Sequence, residues 1–481
     1  MTTRRIPSKR AQAMHEQLAF GYARAVPGRG LVDAALTRER KPTFATAAYA
    51  EPRDWGYLGL MAFTAVLLLR PQDTLRFLEP LHLAELFAIV GIAPMVMHRF
   101  TSRLPVFRIT AETTGLLVLA GVMVATIPFS VWPSGALDVF LNAYVKIVLV
   151  FILMMNTLTT PKRIEQLVWL IMLCCGYIAG RAVFDYARGV HLIENERLAG
   201  PVGGIFGNPN DLAMNMVTFM PAAILFALSR RYTPARRLTA AGAAVLMLAV
   251  VVLTKSRGGA IGLVAMLAAV VFLGRRVRRG FGALTVACVL LSLPFMPQSF
   301  WTRMSSIVDE QTDKQHFSGS REARRIVMQE GIDTFLERPF TGVGAGQFLT
   351  YNPSWRKERW REAHNVLIQV AADLGVFGLA AFVFLIGRGL WVAFRARRLL
   401  GSPRDGGLPP ERLGGTLGEY DRQTLYVQSV AMTAGLVGWL VCAMFASLAY
   451  SWTFYFPLAI VVAIYELIRH RVAVARDLAA A

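Results

Sequence analysis

Apolar residues in this chain come in blocks of roughly 17 to 25, the length that carries a helix across a hydrocarbon layer, with polar turns between them. The blocks around 116–127, 238–253 and 366–386 run without alternation. A spanning barrel needs segments of about ten residues that alternate. In lipid, only helices or closed barrels satisfy every backbone N–H and C=O, so the pattern predicts a bundle of helices. Roughly twelve spans are expected, near 56–70, 81–97, 112–130, 138–156, 164–184, 209–229, 238–254, 258–274, 281–298, 363–387, 426–447 and 450–468. The sequence Lys255-Ser256-Arg257-Gly258-Gly259 divides what would otherwise be one apolar run. The predicted organisation is a polar tail over 1–54, nine spans over 55–298, a large loop over 299–362, three spans over 363–470 enclosing a loop at 395–424, and a short tail over 471–481. The fold class is thus an all-α integral membrane protein.

Charge orients this bundle. The formal net charge is +20, but the cations sit in every second turn. They are Arg99, Arg103 and Arg108; Lys162 and Arg163; Arg230, Arg231, Arg236 and Arg237; Arg275, Arg276, Arg278 and Arg279; and Arg395, Arg397 and Arg398. The turns 131–137 and 448–450 carry no Lys or Arg. This is the positive-inside pattern rather than a nucleic-acid footprint, and it predicts cytoplasmic termini. No apolar leader core is visible in the first fifty-odd residues, which read as a cytoplasmic tail. Cys174, Cys175, Cys288 and Cys442 all fall inside apolar runs without CxxC spacing, so neither a disulfide nor a zinc site is expected.

On the other side of the membrane, 185–208 and 299–362 are too long to be simple turns. The second holds a helical pattern from Arg321 to Leu336, with Ile326, Ile332 and Phe335 spaced for one face. Arg338-Pro339 ends it, because a residue before proline avoids the helical region. Gly342, Gly344 and Gly346 then form a GxGxG connector. With no preceding strand and no Walker lysine, it is not expected to cradle a nucleotide. A Gly/Pro-rich linker occupies 401–419, and no internal repeat points to a transporter.

Candidate chemistry lies where the large loop meets the next span, at Ala363-His364-Asn365. Imidazole titrates nearest neutrality and can take a proton from a hydroxyl without a metal, whereas the alternative role for His364 or Asn365 is a helix N-cap. Ionisable groups inside or beside spans are functional candidates by default, here Glu85, Lys146, Arg181, Lys255 and Arg257. Arg257 sits among small neighbours, where its planar fork of donors suits a phosphate; the competing reading is a snorkelling side chain. Lys146 and Arg181 fit ion pairs with Glu85 or Asp185 as structural glue. The tight carboxylate pairs, Glu194 with Glu196 and Asp309 with Glu310, have no DxD form. Cations and a neutral base on one face suit transfer of a glycan from a lipid-linked diphosphate. A polyprenol-linked glycan flippase is the competing class, and it would favour charge deep in several spans.

Several elements, in order, resemble the O-antigen ligase and polymerase superfamily: Gly207-Asn208-Pro209-Asn210-Asp211, Ser256-Arg257-Gly258, Ser320-Arg321, Pro339-Phe340-Thr341-Gly342-Val343-Gly344, and Ala363-His364-Asn365 with Gly375 and Gly378. The match runs from about 200 to 390. Arg70-Pro71-Gln72 is similar to the branch associated with exopolysaccharide or O-glycosylation loci. The resemblance implies a GT-C-like, metal-independent, inverting glycosyltransferase without a cofactor. It would act at the periplasmic side of the bacterial inner membrane, moving a glycan from undecaprenyl diphosphate to lipid A-core, a growing glycan or a protein. It also implies site roles: His364 as base or orienting group, Arg257 and Arg321 on the diphosphate, Asn365 fixing the imidazole, and Asn208 and Asn210 either lining the cavity or capping their helix. Lys255 departs from the pattern and either shares the phosphate contact or marks the membrane interface.

Overall fold

The computed structural model describes residues 54–101, 103, 107–193, 197–274, 298–305, 320–401, 407–408 and 417–480. The predicted tail before Asp54, the ninth predicted span up to residue 297, and most of the 401–419 linker lie outside the described residues, as do Glu194, Glu196, Asp309 and Glu310. The described chain is almost entirely helical. Its principal helices are α1 (Trp55–Leu69), α2 (Leu83–Thr101), α3 (Ala111–Thr126), α4 (Pro133–Thr157, with a π-turn at Phe140–Tyr144), α5 (Pro161–Ala187), α6 (Pro209–Leu228), α7 (Pro234–Leu253) and α8 (Arg257–Leu273). There follow α9 (Gln298–Ser305), α10 (Ser320–Glu337), α11 (Val366–Leu400), α12 (Glu419–Ala443) and α13 (Trp452–Ala480). A two-residue hairpin, β1 (Leu192–Ile193) with β2 (Arg197–Leu198), is the strand pair among the described residues. Eight helical stretches among the described residues are long and apolar enough to cross a membrane, and α1 and α8 are shorter apolar helices.

The starts and stops follow local chemistry. Asp54, Thr110, Thr160, Asn208, Thr233, Ser256 and Asn365 cap their helices by accepting N–H bonds. Pro opens α5, α6 and α7 at the position where its missing N–H costs nothing.

At the centre, α6 and α12 are enclosed on nearly all sides. Helix α12 packs on α6, α8, α11 and α13, while α1 lies against α2. Lipid offers no hydrophobic drive between helices, so close contact depends on small residues. A Cβ on Gly59 would stand 2.4 Å from the Gly91 backbone, and one on Gly262 would meet Cys442 Sγ. Ion pairs join these spans. Lys146 Nζ lies 2.6 Å from Glu85 Oε1, and Arg388 Nη2 lies 2.7 Å from the buried Glu112. Arg181 donates to Thr74 Oγ1, and Asp185 faces His191 instead.

The face of α10 that spacing predicts is not the buried one. Val327, Glu330, Gly331 and Thr334 turn inward, whereas Ile332 is exposed. The reason is a close approach and an ion pair: Gly331 sits against Ile368 of α11, and Glu330 meets Arg356.

Candidate functional site

Helices α6, α8 and α11 all begin at one end of the bundle, where α7 and α12 finish. This is the end away from the basic turns. Helix N-termini carry partial positive charge, so three of them together favour an anion. Direct bonds hold the ends together. Ser256 Oγ donates to Asn210 Oδ1 at 2.9 Å, and Arg197 Nη2 donates to the same oxygen at 3.0 Å. The buried Arg197 also reaches the Thr254 carbonyl, tying the hairpin to the α7–α8 turn. Gly258 lies against Phe445, just beyond α12. Asn210, Ser256, Gly258, Arg324, Cys442 and Phe445 line a narrow crevice among these ends.

His364 stands beside that crevice, half-buried, with its backbone at φ +50°. A non-glycine residue held there is uncommon and stores strain. Its N–H donates to Ser447 Oγ at 2.9 Å, which anchors the turn to the segment following α12. Burial pushes the imidazole down to about 4, and the neighbouring Arg324 and Arg361 guanidiniums act in the same direction. The ring is therefore neutral at physiological pH, with a lone pair to offer. Glu362 lies within electrostatic reach of Asp211, so the first turn of α6 faces the approach to His364.

The loop that delivers His364 is built around Arg356. Its guanidinium is fully buried and donates to Glu330 (3.3 Å), the Phe348 carbonyl (2.6 Å) and the Arg361 carbonyl (2.7 Å). Glu330 Oε1 accepts the Lys357 and Glu358 N–H groups. A buried arginine satisfied in this way fixes the loop on α10.

The Gly-rich connector wraps a carboxyl group, and that group belongs to the chain itself. Asp373, fully buried in α11, accepts the Gly346 N–H (Oδ2, 3.0 Å), the Phe348 N–H (Oδ1, 3.0 Å) and the Tyr450 hydroxyl (Oδ2, 3.3 Å). The Asp373 carbonyl accepts the Gly344 N–H, and Val376 N–H donates to the Pro339 carbonyl. Helix α11 breaks here, with Gly375 at φ +66°. A Cβ on Gly342 would lie 2.3 Å from the Asp373 carbonyl oxygen, so only glycine fits.

Of the residues expected at the site, Asn210 lines the crevice, His364 is tied to Ser447 next to its Ala446 wall, and Arg257 opens α8 between its Ser256 and Gly258. Asn208 and Asn365 spend their side chains as caps. Asn365 Oδ1 accepts the Leu367 and Ile368 N–H groups while its amide reaches towards Met444, and no hydrogen bond to the imidazole is present. Lys255 is buried in the α7–α8 turn at φ +49°. Arg321 lies on α10 with its side chain outside the described residues; Arg324, one turn on, is the cation beside His364. The reading of the sequence missed Arg324, Ser447 and Asp373. The signal for Asp373 was present, as a lone carboxylate in an apolar run.

Residues 242–383 match the family model described as O-antigen ligase. The matched segment contains Arg257, α10, the Gly-rich connector, His364 and Asp373. No curated protein matches the chain.

Proposed function

The chain belongs, through residues 242–383, to the O-antigen ligase superfamily, and on that premise we propose that the crevice beside His364 transfers a glycan from undecaprenyl diphosphate to an acceptor hydroxyl. The observation that carries this reading is the neutral imidazole next to Arg324, where three helix N-termini meet. The acceptor oxygen attacks the anomeric carbon while the bond to the diphosphate breaks. The acceptor proton passes to His364, and the departing diphosphate takes its countercharge from Arg257, Arg324 and Arg321. A single displacement of this kind inverts the anomeric centre. The crevice then faces the periplasm across a bacterial inner membrane, both termini are cytoplasmic, and the scaffold is of GT-C type.

A lipid-linked donor also suits a groove of about 1170 Å³ between α1, α2 and α4. Ala88, Ile92, Val96 and Phe100 line its apolar length, and Arg70, Asp73, Arg76 and Lys146 its polar mouth. That mouth touches the segment leading into α6: Asp73 Oδ2 accepts the Gly203 N–H at 2.8 Å. The groove supports a long-chain substrate whose head group lies towards Asn208 and Asn210. Lipid A-core, a growing glycan and a protein all remain acceptors compatible with this site.

Two outcomes follow. If Arg257 and Arg324 hold the diphosphate through paired donors, Arg→Lys at either position is nearly as damaging as Arg→Ala, because an ammonium keeps the charge and loses the fork. Each lost charge-assisted bond is worth about 1.5–3 kcal/mol, or roughly ten- to a hundredfold in rate. Donor turnover at matched protein levels checks this, and near-normal rates for both lysine variants would remove the clamp. The arginine-based clamp also predicts that transfer persists in EDTA. Activity lost on chelation and restored by one divalent metal would contradict it.

A further inference from the structure

Beside the loop that delivers His364 is a second cleft, of about 480 Å³, in the size range of small-ligand sites. Trp132, Thr350, Tyr351, Asn352, Pro353 and Trp360 line it. Two distant parts of the chain build its walls, the turn before α4 and the segment following the Gly-rich connector. They are joined nearby by the Val131 N–H donating to the Val343 carbonyl at 3.0 Å.

Three properties distinguish this cleft from ordinary surface. Its indoles are open to solvent, Trp360 being 66% exposed and Trp132 54%. Trp360 is held at φ +59°, a backbone state that costs free energy for a bulky residue, and its N–H is fixed on Asn352 Oδ1 at 3.0 Å. The floor is polar and rigid. The Asn352 amide is pinned by the Leu349 and Thr350 carbonyls, the Tyr351 hydroxyl is bound to Glu337, and the buried Arg356 lies underneath. Chain collapse alone would turn a large apolar ring inward; here strain presents it outward. Aromatic faces next to amide and hydroxyl groups match a sugar ring, which has an apolar C–H face and a polar edge.

We propose that this cleft is a glycan-binding subsite that holds sugar residues of the transferred chain away from the bond being broken. Trp360 lies four residues before His364 on the same fixed loop. Binding energy collected there can be used at the reacting centre. The identity of the ligand as the transferred glycan rests on the function proposed above.

The test uses the full chain in lipid nanodiscs and, as probe, the glycan freed by mild acid from the host's own polyprenyl-linked donor. Saturation-transfer NMR reads binding. Saturable binding is expected for the wild type, for His364→Ala and for Trp360→Phe, and binding at least tenfold weaker for Trp360→Ala with an unchanged unfolding midpoint. Absence of saturable binding by the wild type, or equal binding by Trp360→Ala, overturns the proposal. The latter result is what a membrane-interface anchor predicts. If the wild type binds the freed glycan through Trp360 yet never releases lipid diphosphate from the intact donor, the subsite stands and the transferase reading fails.

Discussion

His364→Ala lowers glycan transfer by about 10²–10⁴-fold, the range general base catalysis supplies, while insertion into the membrane is unchanged. The pH dependence carries more information than the loss. An ordinary histidine would switch off as pH falls through about 6.5. Here burial, with Arg324 and Arg361 adding to it, holds the folded imidazole at about 4. The acid limb of kcat/KM, which reports the free protein, therefore stays flat through pH 6 and falls only towards about 4. Stability moves with the opposite partner. The unfolded chain binds this proton near its ordinary value and the folded chain does not, so this residue's contribution to stability declines as pH drops from about 6.5 to about 4. A diphosphate bound at Arg324 would offset its charge and raise the imidazole, making it a stronger base when the donor is in place. Kinetics on the purified protein across pH 4.5 to 7.5 separate these cases. An acid limb centred near 6.5 for kcat/KM would show the imidazole to be an ordinary exposed one.

The second large effect is on folding. Asp373→Asn keeps the size of the side chain but replaces one accepting oxygen with an NH2 group. Gly346 and Phe348 N–H groups approach opposite oxygens, so either orientation of the amide leaves a donor facing a donor. Leaving a buried group unsatisfied costs about 1–3 kcal/mol. Asp373→Asn and Asp373→Ala are expected to lose about 1–3 kcal/mol for each donor left unsatisfied, to loosen the connector and to lower the yield of folded protein. Thermal unfolding in detergent, with protease sensitivity near residues 341–348, measures this. Unchanged stability for both variants would mean that the cradle does not depend on its carboxylate.

Much of the bundle could be read from composition, because hydrocarbon admits few architectures and each span announces itself by length. Caps at Asn208 and Asn365 were equally legible, since short polar side chains before an apolar run have a local reason to be there. What escaped depended on contacts distant in sequence. Ile332 has the spacing of a core residue, but the face of α10 is decided by Arg356, 26 positions after Glu330. The Gly-rich connector looked like a ligand cradle without a ligand, and only folding brings Asp373, beyond His364, into it. At the site, His364 was evident from its place at a span boundary. The place of Arg324 beside it was not, because that depends on how α10 is rotated about its axis.

The most direct test of the central claim follows the lipid product. Purified protein is reconstituted in proteoliposomes with undecaprenyl-diphosphate-linked glycan and a host acceptor extract, and free undecaprenyl diphosphate is quantified over time. The account predicts steady release by the wild type, undiminished by EDTA, and little or none with His364→Ala. Movement of intact donor across the bilayer without release of the diphosphate, or equal release by His364→Ala, would contradict it.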